Sequence, residues 1–256
     1  MKVEAVVLAG ASNSGKLKGV SDVAHEALIP VQGRPMIHYV VEALKASAAV
    51  ERIVVVGPRE ALLASGLPSD VDVAEAGDSM VDNLRIGLAK VKKDGLALVA
   101  TGDIPLLMPE AVDDFLSRCQ GVSADIYYSI VSKEANEAAY PGVKRTYVRL
   151  KDGTFTGGNI ALVRPEVVEA CEPMIAQAVA MRKNPVKLSR LLGFKFIIKL
   201  LFNRLSLAEI EQRVQTILGF KGVAIVSPYP EVGIDVDKPD DLALVEASLR
   251  ARPSSC

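Results

Sequence analysis

Tryptophan is missing from this 256-residue chain, and all aromatic residues together make up only 5% of it. A stacking platform for single-stranded nucleic acid needs aromatic faces, so that class of function has little to work with. Histidine is scarce too: His25 and His38 are the two, too far apart in sequence to read as a relay pair. The three cysteines, Cys119, Cys171 and Cys256, show no C-x-x-C spacing. That speaks against a disulfide framework or zinc site and points to a reducing cytoplasm. Neither sign of charge is in excess, since the formal net charge is −1; there is no bulk basicity to draw a polyanion. No apolar run reaches the roughly eighteen residues of a membrane-spanning helix. The apolar N-terminal stretch is short and carries Glu4, so it reads as a buried first strand rather than a signal peptide.

What the chain does have is alternation. Apolar runs at Val3–Leu8, Arg52–Val56, Val71–Ala74, Leu96–Ala100 and Asp125–Val131 read as strands. Between them, Pro35–Ser47, Ser79–Lys92 and Pro109–Cys119 carry helical spacing, the first and last with Pro near the helix start. This pattern predicts an α/β protein, a three-layer α/β/α stack around a mostly parallel, Rossmann-like sheet. Tyr140–Leu150 and Thr154–Val163 read as extended segments about an Asp152-Gly153 turn, and Gly222–Val226 and Val232–Val236 as later strands. A closing helix is expected over Lys238–Arg252. The whole chain reads as one domain, with a helical insertion over about 168–221. Inside the insertion, Leu191–Leu205 is apolar with Lys195, Lys199 and Asn203 four residues apart. Packing or a homodimer contact is the first reading of that helix, and contact with a membrane surface the second.

In parallel sheets ligands bind at the carboxyl ends of strands, which draws attention to the segments that follow them. After the first strand comes a run of small residues, Gly10 to Gly15, then Lys16 and Lys18. Small side chains let backbone N–H groups approach phosphates, and lysines supply cations for them. Gly10 to Lys16 also match seven positions of the P-loop pattern, but Leu17 stands where a hydroxyl should hold Mg²⁺, and no good helix follows. The loop is therefore read as wrapping a nucleoside triphosphate without a P-loop helix. After a later strand, Gly102-Asp103-Ile104-Pro105 places a carboxylate where a metal ligand would be needed, although on this segment alone a helix N-cap or Asx-turn is the better account of Asp103. Asp237 reads either as a second metal-facing carboxylate or as a helix N-cap, and Asp235-Val236-Asp237 also has the D-x-D pattern of some glycosyltransferases. Gly157 and Gly158 sit in a strand-like run, where paired glycines imply close approach to the backbone or a β-bulge. Asn159 beside them is a candidate for an acceptor or ribose contact, and Lys144 and Arg145 read as candidates for an acceptor phosphate or as solvated cations.

These elements, in this order, resemble the nucleotidyltransferases that activate sugar phosphates, polyol phosphates and molybdopterin, in particular the molybdenum-cofactor-type branch. The resemblance rests on Leu8-Ala9-Gly10, Ala27-Leu28, Gly33-Arg34-Pro35-Met36, Gly77 to Leu84, Gly102-Asp103-Ile104-Pro105-Leu106 and Val236 to Leu242. It implies transfer of a nucleotidyl group from an NTP, CTP or GTP first, to a phosphorylated small molecule with release of pyrophosphate. It further implies Mg²⁺ or Mn²⁺ on Asp103 and Asp237, with catalytic roles for Lys16, Lys18 and Asp103. Nucleotide contacts are implied at Leu8, Ala9, Gly10, Ala11, Ser12, Asn13, Gly77, Ser79 and Asn83, and acceptor contacts at Lys144, Arg145, Gly157, Gly158 and Asn159. The chain departs from the family pattern at Glu26, where the pattern has Lys; on charge alone a glutamate there would repel phosphate. A nucleotide sensor without catalysis is the alternative reading on the same fold.

Overall fold

The computed structural model describes residues 1–170 and 194–252. Cys171, Cys256 and the N-terminal part of the apolar stretch at 191–205 lie outside the described residues.

The apolar runs build a single large sheet. Its strands are β1 (Val3–Leu8), β4 (Val50–Gly57), β5 (Asp72–Glu75), β6 (Ala97–Thr101), β7 (Ile126–Ser132), β8 (Val148–Leu150), β9 (Gly153–Val163) and β10 (Gly222–Ser227). β2 (Pro30–Val31) and β3 (Arg34–Pro35) form a small separate ribbon. The order across the large sheet is β10-β7-β9-β6-β1-β4-β5, with β8 pairing to β9. β1 is parallel to both β4 and β6, and its Ala5, Val6 and Val7 are fully buried, as a central strand covered on both faces requires. β9 alone runs against its neighbours β6, β7 and β8.

Helices cover both faces. α1 (Met36–Ala46) and α4 (Pro109–Gln120) pack on one face with Val7, Val55, Leu98 and Ala100. α3 (Met80–Leu88) and α6 (Pro165–Ala170) pack on the other, with Val6, Val54 and Val99. The period of two along the strands separates these residue sets, and the three-layer expectation holds. α2 (Arg59–Ala64), α5 (Lys133–Ala139), α7 (Phe194–Leu201), α8 (Leu207–Leu218) and α9 (Pro239–Ala251) complete the described helices. None of them is long and apolar enough to cross a membrane.

Several boundaries differ from expectation. Val232–Val236 is no strand: Pro230–Gly233 forms a 3-10 turn, and the segment beyond it gives its backbone groups to side chains and to the Asp103 carbonyl rather than to a neighbouring strand. Tyr140–Leu150 is extended only over β8, because Ser132 caps α5 by accepting from the Ala135 N–H, and Tyr140 ends that helix. α3 ends at Leu88, short of Lys92, whose N–H donates instead to the buried Glu4 carboxylate at 2.7 Å. α7 likewise ends before Asn203, which takes a left-handed φ of 53° and so leaves the expected polar stripe.

Candidate active site

The loop after β1 is pinned at several points. Ser12 bridges to His25, the Glu26 N–H donates to the Ala11 carbonyl at 3.0 Å, and the Asn13 carboxamide donates to the Ser21 and Val23 carbonyls. Lys16–Gly19 is a 3-10 turn with no α-helix following, and Leu17 is fully buried with Ile29, Val31, Met36 and Leu106. A P-loop needs a helix N-terminus at that lysine. Here the position that would carry its hydroxyl is a core anchor instead.

Asn83 joins two of the expected nucleotide-contacting segments. Its Oδ1 accepts from the Gly77 N–H at 2.7 Å, while its Nδ2 lies so close to Gly10 that a Cβ there would collide with it. Ser79 caps α3 by accepting from the Asp82 N–H. The Asn13 Nδ2 and the Asn83 Oδ1 thus help to shape these loops.

The second wall is built around the segment from Val232 to Asp241. Arg145, with only 8% of its side chain exposed, donates to the Asp235 carbonyl at 2.8 Å and pairs with the carboxylates of Asp235 at 3.1 Å and Asp241 at 3.5 Å. Asp241 in turn accepts from the Asp237 N–H at 3.2 Å. Asn159 donates to the Val232 carbonyl, and the Val236 N–H donates to the Asp103 carbonyl at 3.0 Å. These contacts set Asp237 beside Asp103. Gly158 is a glycine for local reasons: a Cβ would overlap the Ser129 hydroxyl, in a stretch where the β7–β9 register shifts between Tyr128 and Ile130. Gly157 likewise leaves room for the Tyr128 hydroxyl.

Between the walls lies a cavity of about 850 Å³. Leu8, Lys16, Glu26, Lys144, Arg145, Gly157, Gly158, Asn159, Asp235, Asp237 and Lys238 are among its lining residues. Lys18 is exposed but does not line it, and neither do Ala9 to Asn13, Gly77, Ser79 or Asn83. Asp103 is half-buried and does not line the cavity, and its Oδ1 is shut off from solvent and accepts no hydrogen bond. Burial first, then the negative charge of Asp235 and that of Asp237, push the Asp103 carboxyl up to about 7. Burial also raises Asp235, with Arg145 opposing the shift. One carboxylate oxygen each from Glu26, Asp103 and Asp237 meet within 4.8 Å of one another. Hard oxygen donors grouped in this way could hold a divalent cation. Glu26 is the member that motif reading assigned to repulsion, and the turn that swings it toward Asp103 leaves no mark in local spacing. Lys238 and Asp241, at the start of α9, also line this cavity.

A profile of the MobA-like NTP transferase domain matches residues 5–184. Among solved structures, a hypothetical transferase from Thermus thermophilus is 44% identical, with a TM-score of 0.82, covering 94% of this chain and 100% of its own. Among curated proteins, the bifunctional protein GlmU of an Exiguobacterium species is 28% identical over 59% of this chain and 32% of its own length. A 2-C-methyl-D-erythritol 4-phosphate cytidylyltransferase from Clostridium beijerinckii is 24% identical over 67% of this chain and 71% of its own. The chain spans between about a quarter and a third of the length of the GlmU proteins it matches.

Proposed function

The chain belongs to the MobA-like NTP transferase family, and from that premise we propose that it transfers a nucleotidyl group from an NTP to a phosphorylated small molecule. Family-level chemistry is that of NTP and acceptor giving NMP-acceptor and pyrophosphate. The observation that carries the reading is the meeting of Glu26, Asp103 and Asp237 at a cavity whose wall also holds Lys16 and Lys144.

An oxygen of the acceptor phosphate attacks the α-phosphorus, the bond to the β-phosphate oxygen breaks, and pyrophosphate leaves. An anionic acceptor needs no general base, which suits a site whose described lining contains no histidine. Asp103 and Asp237, with Glu26, are the residues that would hold Mg²⁺ or Mn²⁺, which supplies charge neutralisation at the α-phosphate. Lys16 faces the cavity from the small-residue loop and is suited to the departing pyrophosphate. Lys144, Gly157, Gly158 and Asn159 form the acceptor side. Arg145 acts by holding Asp235 and Asp241. The similar protein from Clostridium beijerinckii is named for cytidylyl chemistry, which supports CTP as the first nucleotide to try, with GTP second.

The test is pyrophosphate release from each NTP against a panel of phosphorylated sugars, polyols and pterins. Turnover with one acceptor, abolished by Asp103→Ala, supports the proposal. Nucleotide binding without turnover on any acceptor would replace it with a sensor. ATP hydrolysis lost in Lys16→Ala yet kept in Asp103→Ala would point to phosphotransfer by a P-loop-like site.

A further inference from the structure

The charge of the centre has a consequence beyond the transfer reaction, on whose reading it rests. Three segments distant in sequence each deliver one carboxylate: the turn Glu26–Leu28, the residues after β6, and the strap before α9. A fourth carboxylate, Asp235, lines the same cavity. Arg145, the buried cation of this wall, pairs with Asp235 and Asp241. Asp103 Oδ1 has neither solvent nor a hydrogen-bond donor to satisfy it, although buried acceptors are nearly always paired. The group therefore contains a buried, unsatisfied oxygen among converging like charges.

Two carboxylates are what a nucleotide-borne magnesium ion commonly meets, the phosphates supplying further oxygens. Three are more than such an arrangement requires. Octahedral bonds of about 2.0–2.1 Å place neighbouring ligand oxygens roughly 3 Å apart and opposing ones about 4 Å apart. Oxygens already within 4.8 Å of one another reach that geometry with small side-chain rotations. Three ionised carboxylates around a dication leave a net charge of about −1 on the loaded group, so the protein alone more than neutralises the ion. The remaining coordination positions stay open for water or phosphate oxygen. Without the ion, the negative charge that remains on this group opposes a triphosphate.

We propose that Glu26 makes this centre a protein-owned divalent-cation site: the cation binds the free protein, and the nucleotide docks afterwards onto the loaded site. Glu26 then acts as a ligand that fixes the order of binding, and NTP affinity depends on prior loading.

The experiment is a Mn²⁺ titration of the full chain, followed by electron paramagnetic resonance, with no nucleotide present. A fluorescent CTP or GTP analogue then reports nucleotide binding with Mn²⁺ or with EDTA. Expected is one Mn²⁺ per chain without nucleotide, weakened at least tenfold by Glu26→Gln, and nucleotide binding lost in EDTA. Glu26→Lys should remove nucleotide-free Mn²⁺ binding and restore measurable nucleotide binding in EDTA. The melting temperature of both variants is measured alongside, which separates loss of a ligand from loss of the fold. Uptake of Mn²⁺ only in the presence of nucleotide, or equal Mn²⁺ affinity in wild type and Glu26→Gln, overturns the proposal. So does a Glu26→Gln variant that shifts the melting temperature and leaves Mn²⁺ binding intact, since Glu26 would then serve the loop alone. Pyrophosphate release that requires Asp103 without nucleotide-free loading would sink this inference and leave the transferase reading standing. Glu26-dependent loading without turnover would do the reverse.

Discussion

The two walls of the cavity are made by different means. The wall after β1 is small residues and backbone bonds, its shape set by Asn13, Asn83 and the buried Leu17, and its cation Lys16 extends from an exposed turn. The wall before α9 is a buried charge network in which Arg145, Asp235 and Asp241 lock the backbone that carries Asp237. An exposed side chain on the first wall, such as Lys16, can be removed with little effect on the fold, whereas on the second removing one partner strands a buried charge. Function and stability should therefore separate on one side of the cavity and coincide on the other.

Substitutions that divide the two effects test this contrast, and the largest expected change is at the junction of the walls. Asp103→Asn should lower pyrophosphate release by about 10³-fold or more, in line with removal of a group that holds a catalytic metal. It should at the same time stabilise the metal-free protein. Folded Asp103 keeps its proton up to about pH 7, while the unfolded chain releases it near pH 4. The wild-type contribution is thus fully present below about pH 4 and lost as pH rises through about 7. Calorimetry in EDTA should show that loss between about pH 4 and 7 in wild type and a flatter profile in the variant.

Next in size is Arg145→Met. Breaking a buried ion network by removing one member typically costs about 3 kcal/mol or more, so the urea midpoint should fall. Mn²⁺ affinity should fall with it, since Asp237 loses its support; an unchanged urea midpoint would refute the idea that this wall is locked by charge. Lys16→Ala should raise KM for the nucleotide about 10- to 100-fold, a value in the range of lost charge-assisted contacts, with the melting temperature unmoved within about 1 °C. Matched loss of stability in that variant would erase the contrast. Lys18→Ala is the smallest: because Lys18 does not line the cavity, steady-state kinetics should stay within about threefold of wild type.

The layered sheet was legible because its strands are apolar runs separated by helices of clear period, and burial on both faces of β1 leaves little else for Val3–Leu8 to be. Asp103 and Asp237 were visible as residues in a recurring order. Their partners were not. Glu26 and Arg145 reach the site across loops whose path depends on where Leu17, Asn13 and Tyr140 bury, and no local periodicity records that. The glycine pair at 157–158 signalled close approach or a β-bulge, and the structure has both: the side chains of Tyr128 and Ser129 press on it where the β7–β9 register shifts. Helix α5 went unseen because its short run Lys133–Ala139 lies between two segments read as extended, and only the Ser132 cap marks its start.

The antiparallel strand β9 has one more effect, on the order in which the chain can assemble. β7 is made before β9, yet its place in the sheet exists only once β9 lies against β6. During synthesis the β6 edge therefore stays open until residue 163 has emerged, and an unpaired apolar edge invites wrong partners. The strand that places Asn159 beside the strap carrying Asp237 is also the one whose late arrival keeps that edge open in the growing chain.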